Sequence, residues 1–115
     1  MPARLPPLSL HAWLRYDAID RLIPAGVRTV LEIGAGQGAV GALLAERYDY
    51  VGLEPDAASH AVAARRVGKG EVLALGLEDY EPREPFDLVC AFEVLEHLDD
   101  DRAAVASWVR LLSGV

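Results

Sequence analysis

Cysteine is nearly absent from this chain. Cys90 is the only one, so no disulfide can form within it. It stands in an apolar run, where a small buried hydrophobe is expected rather than a nucleophile. Positive charge is also scarce. Eleven Lys and Arg face eighteen Asp and Glu, a net charge of -7, and the arginines are scattered. That sign and spread disfavour a polyanionic partner, so nucleic acid is not expected as one. No run is long and apolar enough to span a bilayer, and no basic-then-apolar leader opens the chain. The expectations are no membrane association and a cytoplasmic location. There is no repeat of fixed period, no low-complexity segment and no linker, so residues 1–115 are read as one domain. At 52% hydrophobic and 25% charged, the composition can bury a core.

What is present is an alternation of strand and helix signals. Pro2, Pro6 and Pro7 make residues 1–8 an irregular arm. Leu10, Trp13, Leu14, Ile19, Leu22 and Ile23 recur at helical spacing and predict a helix over Ser9–Ile23, ended by Pro24 and Gly26. Residues 1–26 thus read as an arm and a helix. Trp13 and Tyr16 can wall a ligand site, but packing is the expected role of aromatics on an amphipathic helix. Strands are predicted at Val27–Ile33, Tyr50–Leu53, Glu71–Leu75 and Asp87–Phe92. The last is a nearly continuous apolar run, as in a central parallel strand covered on both faces. Helices are predicted at Gly38–Tyr48, from Asp56 to about Val67, and at Arg102–Leu112. Gly41 inside the first of these costs about 1 kcal/mol against Ala, which close helix–strand packing would explain. Asp56 can cap the second, and Gly68 ends it. Asp99, Asp100 and Asp101 suit the N-terminus of the third better than they suit a metal site. Strands alternating with helices predict βαβ units and a parallel sheet.

Within this pattern, Thr29–Gly41 carries the chemistry. Gly34, Gly36 and Gly38 follow a strand at alternate positions and open a helix, so the backbone can turn sharply and approach a ligand. Glu32 lies two positions before Gly34 among apolar neighbours, where a carboxylate is costly without a partner. It either pairs with a local backbone N–H or an arginine, or meets a positively charged ligand group near the turn. Glu54 ends the second strand, 22 residues after Glu32. An acid there is placed to accept hydrogen bonds from both ribose hydroxyls of a nucleoside, a reading favoured over that of an exposed strand-end acid.

A dinucleotide site is one alternative. Gly34, Gly36 and Ala39 satisfy G-x-G-x-x-G/A, and an acid follows at about the 20 residues that motif requires. A NAD-dependent oxidoreductase is therefore a rival reading. Against it, a pyrophosphate would be repelled by Glu32, and the pattern has no need of Gly38.

Taken in order, V-L-E-I-G-A-G-Q-G, V-G-L-E-P and F-D-L-V-C-A-F-E-V-L-E-H-L resemble the class I S-adenosylmethionine-dependent methyltransferases over roughly residues 27–114. The L-L-S-G-V end is similar to that family's L-K-P-G-G turn. The resemblance implies an α/β, Rossmann-like parallel sheet with helices on both faces and strand order 3-2-1-4. It implies a partial domain that stops before the family's last three strands. The fourth strand then lies at an edge, which a second copy or a further C-terminal portion can cover. By position, Glu32 matches the acid near the methionine ammonium, and Gly34, Ala35 and Gly36 lie in the turn beneath the cofactor. Gly38 opens the helix. Glu54 matches the ribose acid, and Pro55 lies beside adenine. Gly76-Leu77-Glu78-Asp79 resembles the family's G-D-A-E-D loop, with Gly76 where an Asp is usual, so that the Leu77 N–H is left to read adenine, and Glu78 is a cofactor-binding residue of the same loop. Phe92 and Glu93 match residues at the methionine end.

The chemistry is consistent with that resemblance. Methyl transfer from a sulfonium is an in-line displacement with an activated leaving group, so the protein mainly positions donor and acceptor and excludes water. A cationic cofactor suits an acidic pocket. The resemblance implies S-adenosylmethionine as cofactor and an unidentified, small-molecule methyl acceptor, with a catalytically inactive cofactor-binding or assembly module as a further alternative. E-x-x-E-H, Glu93 to His97, resembles both quinone-biosynthesis methyltransferases and metal-using RNA 3′-end methyltransferases. Glu93, Glu96 and His97 can converge on a divalent cation, but a structural cap is the favoured reading and no metal is expected. His97 is alternatively a general base for an acceptor hydroxyl.

Overall fold

The computed structural model describes residues 21–91. Four parallel strands form one sheet in the order β3-β2-β1-β4: β1 (Thr29–Ile33), β2 (Asp49–Leu53), β3 (Glu71–Leu73) and β4 (Leu88–Cys90). Helices α1 (Ala39–Leu44) and α2 (Ala57–Arg66) make the first two connections, and a 3-10 turn at Leu77–Asp79 lies in the third. The expected α/β architecture and strand order are present. The direction of strand addition reverses between β1 and β4, and open parallel sheets bind ligands outside the carboxyl ends of strands at such a point.

The core follows from alternation along β1. Val30 packs on one face with Leu43 and Leu44 of α1, Tyr50 and Val67. Leu31 and Ile33 point to the other face and meet Leu53 and Phe86, with Leu77 and Tyr80 packed against them. Leu31, Leu44, Leu53 and Val30 are fully buried, and each contributes about 1.5–3 kcal/mol of hydrophobic stabilisation. Arg21 and Leu22 are helical, and Ile23 packs onto the Val30 face before Pro24. The rest of the predicted first helix lies outside the described residues.

Element ends differ from expectation for local reasons. Helix α1 stops at Leu44 rather than Tyr48, because Glu46 and Arg47 N–H donate three residues back, to Leu43 and Leu44 carbonyls. Tyr48 still packs against the core. Asp56 caps α2 as expected, its carboxylate accepting the Ser59 N–H at 2.9 Å. That bond holds the Asp56 carboxyl below the usual aspartate range. Strand β4 is a correction in degree. Its three residues are half-buried rather than covered on both faces, since among the described residues β4 pairs only with β1. The predicted helix Arg102–Leu112 and the Asp99–Asp101 run lie outside the described residues.

Two contacts that secure the sheet carry no local sequence signal. At the amino end of the strands, Asp87 Oδ2 accepts the N–H groups of Arg28 (2.9 Å) and Thr29 (3.1 Å), and Asp87 N–H donates to Thr29 Oγ1 (2.8 Å). This reciprocal clamp joins the start of β1 to the approach of β4. On β3, the Val72 carbonyl accepts the Nε2–H of His60 from α2 at 2.9 Å.

Candidate functional site

The glycine turn leaves the carboxyl end of β1. Gly34, Gly36 and Gly38 all have positive φ, 73°, 60° and 87°. Side chains rarely adopt such a conformation once, let alone at three alternate positions. Gly34 and Ala35 N–H both donate to the Leu53 carbonyl at 2.9 Å, tying the turn to the end of β2. Gly38 caps α1, and a Cβ there would lie 2.9 Å from Ala63 Cα, so α1 and α2 meet at this point. Gly36 differs. Among the described residues, a Cβ on Gly36 would meet no atom within 4 Å beyond its chain neighbours, so this position opens onto space that a ligand can enter.

Glu54 sits beside that opening. Its Oε1 accepts Gly36 N–H at 2.7 Å and its Oε2 accepts Asp56 N–H at 2.9 Å. The carboxylate is thereby held between the turn and the entry to α2. Each carboxylate oxygen can accept about two hydrogen bonds, so this pair of donors leaves capacity on both. Glu54 is only 9% exposed, and Pro55 beside it is exposed. Arg66 of α2 adds a second tie to the turn, donating to the Gln37 carbonyl at 3.3 Å.

Glu32 lies deeper, 3% exposed. The Tyr50 hydroxyl donates to its Oε1 at 2.5 Å. Neither alternative read from the sequence named this partner. Burial first, then the Glu32 charge and hydrogen bond, push the Tyr50 phenol far above its ordinary range, so the phenol keeps its proton and remains a donor. Cys90, opposite Glu32 across the β1–β4 pairing, is half-buried, and its thiol lies 3.6 Å from the Leu31 carbonyl. Burial and the Glu32 charge also raise that thiol's pKa, in keeping with an inert side chain.

The remaining predicted residues fall into two groups. Leu77 opens the 3-10 turn after Gly76 and is half-buried; the turn's own bonds use Asp79 and Tyr80 N–H. Glu78 is exposed, and its carboxylate folds over Gly76, filling the space a Cβ would need. Phe92, Glu93, Glu96 and His97 lie outside the described residues. Among the described residues, no three His, Cys, Asp or Glu side chains are grouped to hold a metal.

The turn therefore combines one open glycine, a carboxylate pinned by two N–H groups and a second, buried carboxylate. Two acids suit a hydroxyl-bearing, cationic ligand better than a pyrophosphate. Comparison with known proteins points the same way. The profile of a family described as a methyltransferase domain matches residues 31–114. The chain belongs to that family. An uncharacterized methyltransferase of Mycobacterium tuberculosis is 32% identical over 101 residues, covering 84% of this chain and 51% of that protein. A ubiquinone biosynthesis O-methyltransferase of a Bradyrhizobium species is 36% identical over 85 residues, covering 66% of this chain and 32% of that enzyme. Among solved structures, the amino pentose methyltransferase CalS10 of Micromonospora echinaspora, bound to S-adenosylmethionine, is 28% identical with a TM-score of 0.72. That match covers 90% of this chain and 45% of CalS10. The Bradyrhizobium japonicum N-methyltransferase NodS, in complex with S-adenosylhomocysteine, shares the fold at a TM-score of 0.80 and 24% identity, over 93% of this chain and 59% of NodS. The chain spans about half the length of the mycobacterial relative.

Proposed function

We propose that this chain is the cofactor-binding part of an S-adenosylmethionine-dependent methyltransferase whose acceptor is a small molecule. The observation that carries the reading is Glu54, held by the Gly36 and Asp56 N–H groups beside the open Gly36. A carboxylate fixed in this way can accept both hydroxyls of a ribose without first being ordered, which lowers the entropic cost of binding. Gly34, Ala35 and Gly36 bring backbone against the cofactor, and Gly38 lets α1 start close to α2. Glu32 supplies negative charge toward the amino-acid end. Pro55, Leu77 and Glu78 border the adenine side, and Phe92 and Glu93 the methionine side.

The cofactor supplies a methyl group on a sulfonium, already activated for displacement. The chain's own work is to bind, orient and exclude water. His97 is the residue proposed to take the proton of an acceptor hydroxyl, and no metal is required for that step. A further C-terminal portion or a second copy is proposed to pair at the β4 edge and complete the acceptor site. Among the described residues no helix is long and apolar enough to cross a membrane, and a cytoplasmic location is part of the proposal.

Calorimetric titration of the chain with S-adenosylhomocysteine and with NADH tests the reading. Binding of the first and not the second is expected. Binding of NADH with no response to S-adenosylhomocysteine would overturn it.

A further inference from the structure

Among the described residues, Tyr50 is a buried polar side chain near the turn that the cofactor roles above leave unassigned. Its ring occupies a slot made by three glycines. A Cβ on Gly41 of α1 would collide with the Tyr50 hydroxyl, and so would one on Gly52 of β2. A Cβ on Gly70, just before β3, would lie 2.8 Å from the ring's Cδ1. Three separate segments thus forgo a side chain to admit a single aromatic residue. Gly41 bears the helical cost expected of a glycine inside a helix, and what it accommodates is the tip of this tyrosine.

The slot delivers the hydroxyl to Glu32 rather than to solvent. Tyr50 is 3% exposed, as is Glu32, and the oxygens are 2.5 Å apart. A short hydrogen bond to a charged acceptor is among the stronger kinds, and in a dry setting it also fixes direction. The location ties the pair to the turn: the Cβ position of Gly52 that meets the hydroxyl is also 3.1 Å from Ala35 Cβ. So the Tyr50 hydroxyl lies near Ala35 of the turn.

We infer that Tyr50 is a positioning residue for the amino-acid end of the cofactor: its hydroxyl holds the Glu32 carboxyl group oriented beneath the glycine turn. This rests on the reading of the site as one for S-adenosylmethionine. The role is selective. Adenine and ribose are served by other groups, so loss of the hydroxyl weakens only ligands that carry the amino-acid portion.

The test compares two ligands on the full chain by calorimetry. S-adenosylhomocysteine carries the ammonium and carboxylate of an amino acid, whereas 5′-methylthioadenosine has the same nucleoside without them. Tyr50→Phe removes the hydroxyl and keeps the ring in its slot. The expected result is about tenfold weaker binding of S-adenosylhomocysteine, the scale of one hydrogen bond to a charged group, with binding of 5′-methylthioadenosine unchanged. Equal losses for both ligands would make Tyr50 merely structural, and no loss for either would make it idle; each overturns the inference. If Tyr50→Phe does not fold, Gly41→Ala carries the same comparison, because its Cβ would collide with the hydroxyl that bonds Glu32, and the same two outcomes apply. A parent chain that binds neither ligand overturns the cofactor assignment and this inference with it. A parent that binds S-adenosylhomocysteine no better than the variant overturns the inference alone.

Discussion

Two carboxylates at opposite ends of the sheet use the same device for different ends. Asp87 and Glu54 each accept two backbone N–H groups. Asp87 takes both on one oxygen, Oδ2, and its own N–H donates back to Thr29. The result is a closed clamp between two strand starts. Glu54 divides its donors, one to each oxygen, and so keeps accepting capacity on both. It stands at the carboxyl end of the strands, where βαβ folds bind ligands, and Asp87 stands at the other. Two donors on a carboxylate are therefore not in themselves a sign of function. What distinguishes Glu54 is the division of those donors and the open space at Gly36 beside it.

Removing the ligand-facing carboxylate should have the largest effect. Glu54→Ala is expected to weaken S-adenosylhomocysteine binding by about a hundredfold, the scale of two hydrogen bonds to a charged group. Titration calorimetry reads this directly, and an unchanged affinity would show that Glu54 is no more than a second clamp.

Next in size is the seam that supports it. Gly38→Ala forces a side chain into a φ of 87° and against Ala63. It should lower unfolding free energy by about 1–3 kcal/mol in urea denaturation. A neutral result would mean that α1 and α2 can separate without cost.

The smallest effect belongs to Asp87, and it depends on pH. Its hydrogen bonds to the Arg28 and Thr29 N–H groups hold its carboxyl below the usual aspartate range. A depressed folded pKa contributes stability that is fully present above the unfolded value, about 3.9, and is lost as pH falls through the lower folded value. Asp87→Asn should thus be less stable than the parent at neutral pH, and the gap should close in acid. Denaturation midpoints across that range should converge while S-adenosylhomocysteine affinity at neutral pH stays the same. Parallel curves would mean that the clamp does not depend on charge.

The contrast between local and distant partners explains which features are legible in the sequence. The glycine turn, the Asp56 cap and the acid at the end of β2 each follow from short-range rules, whereas the strand order is implied only by the family resemblance. Positive φ at alternate glycines is a property of adjacent residues, and a cap acts within one turn of helix. Element ends are less legible. Where α1 stops depends on which carbonyl Glu46 and Arg47 reach, and that differs by only one residue along the chain.

The pairings that give the turn its support lie at longer range. Glu32 and Tyr50 are 18 residues apart, and Asp87 reaches Arg28 across 59. Each requires two strands to lie side by side in one register, with Val30 opposite Tyr50 and Glu32 opposite Gly52. Spacing within a single segment does not encode that register. Composition and periodicity are enough for a parallel α/β sheet with a ligand turn after its first strand. The partner of the buried acid emerges only with the packed sheet, because a tyrosine reaches Glu32 only where Gly41, Gly52 and Gly70 leave room for it.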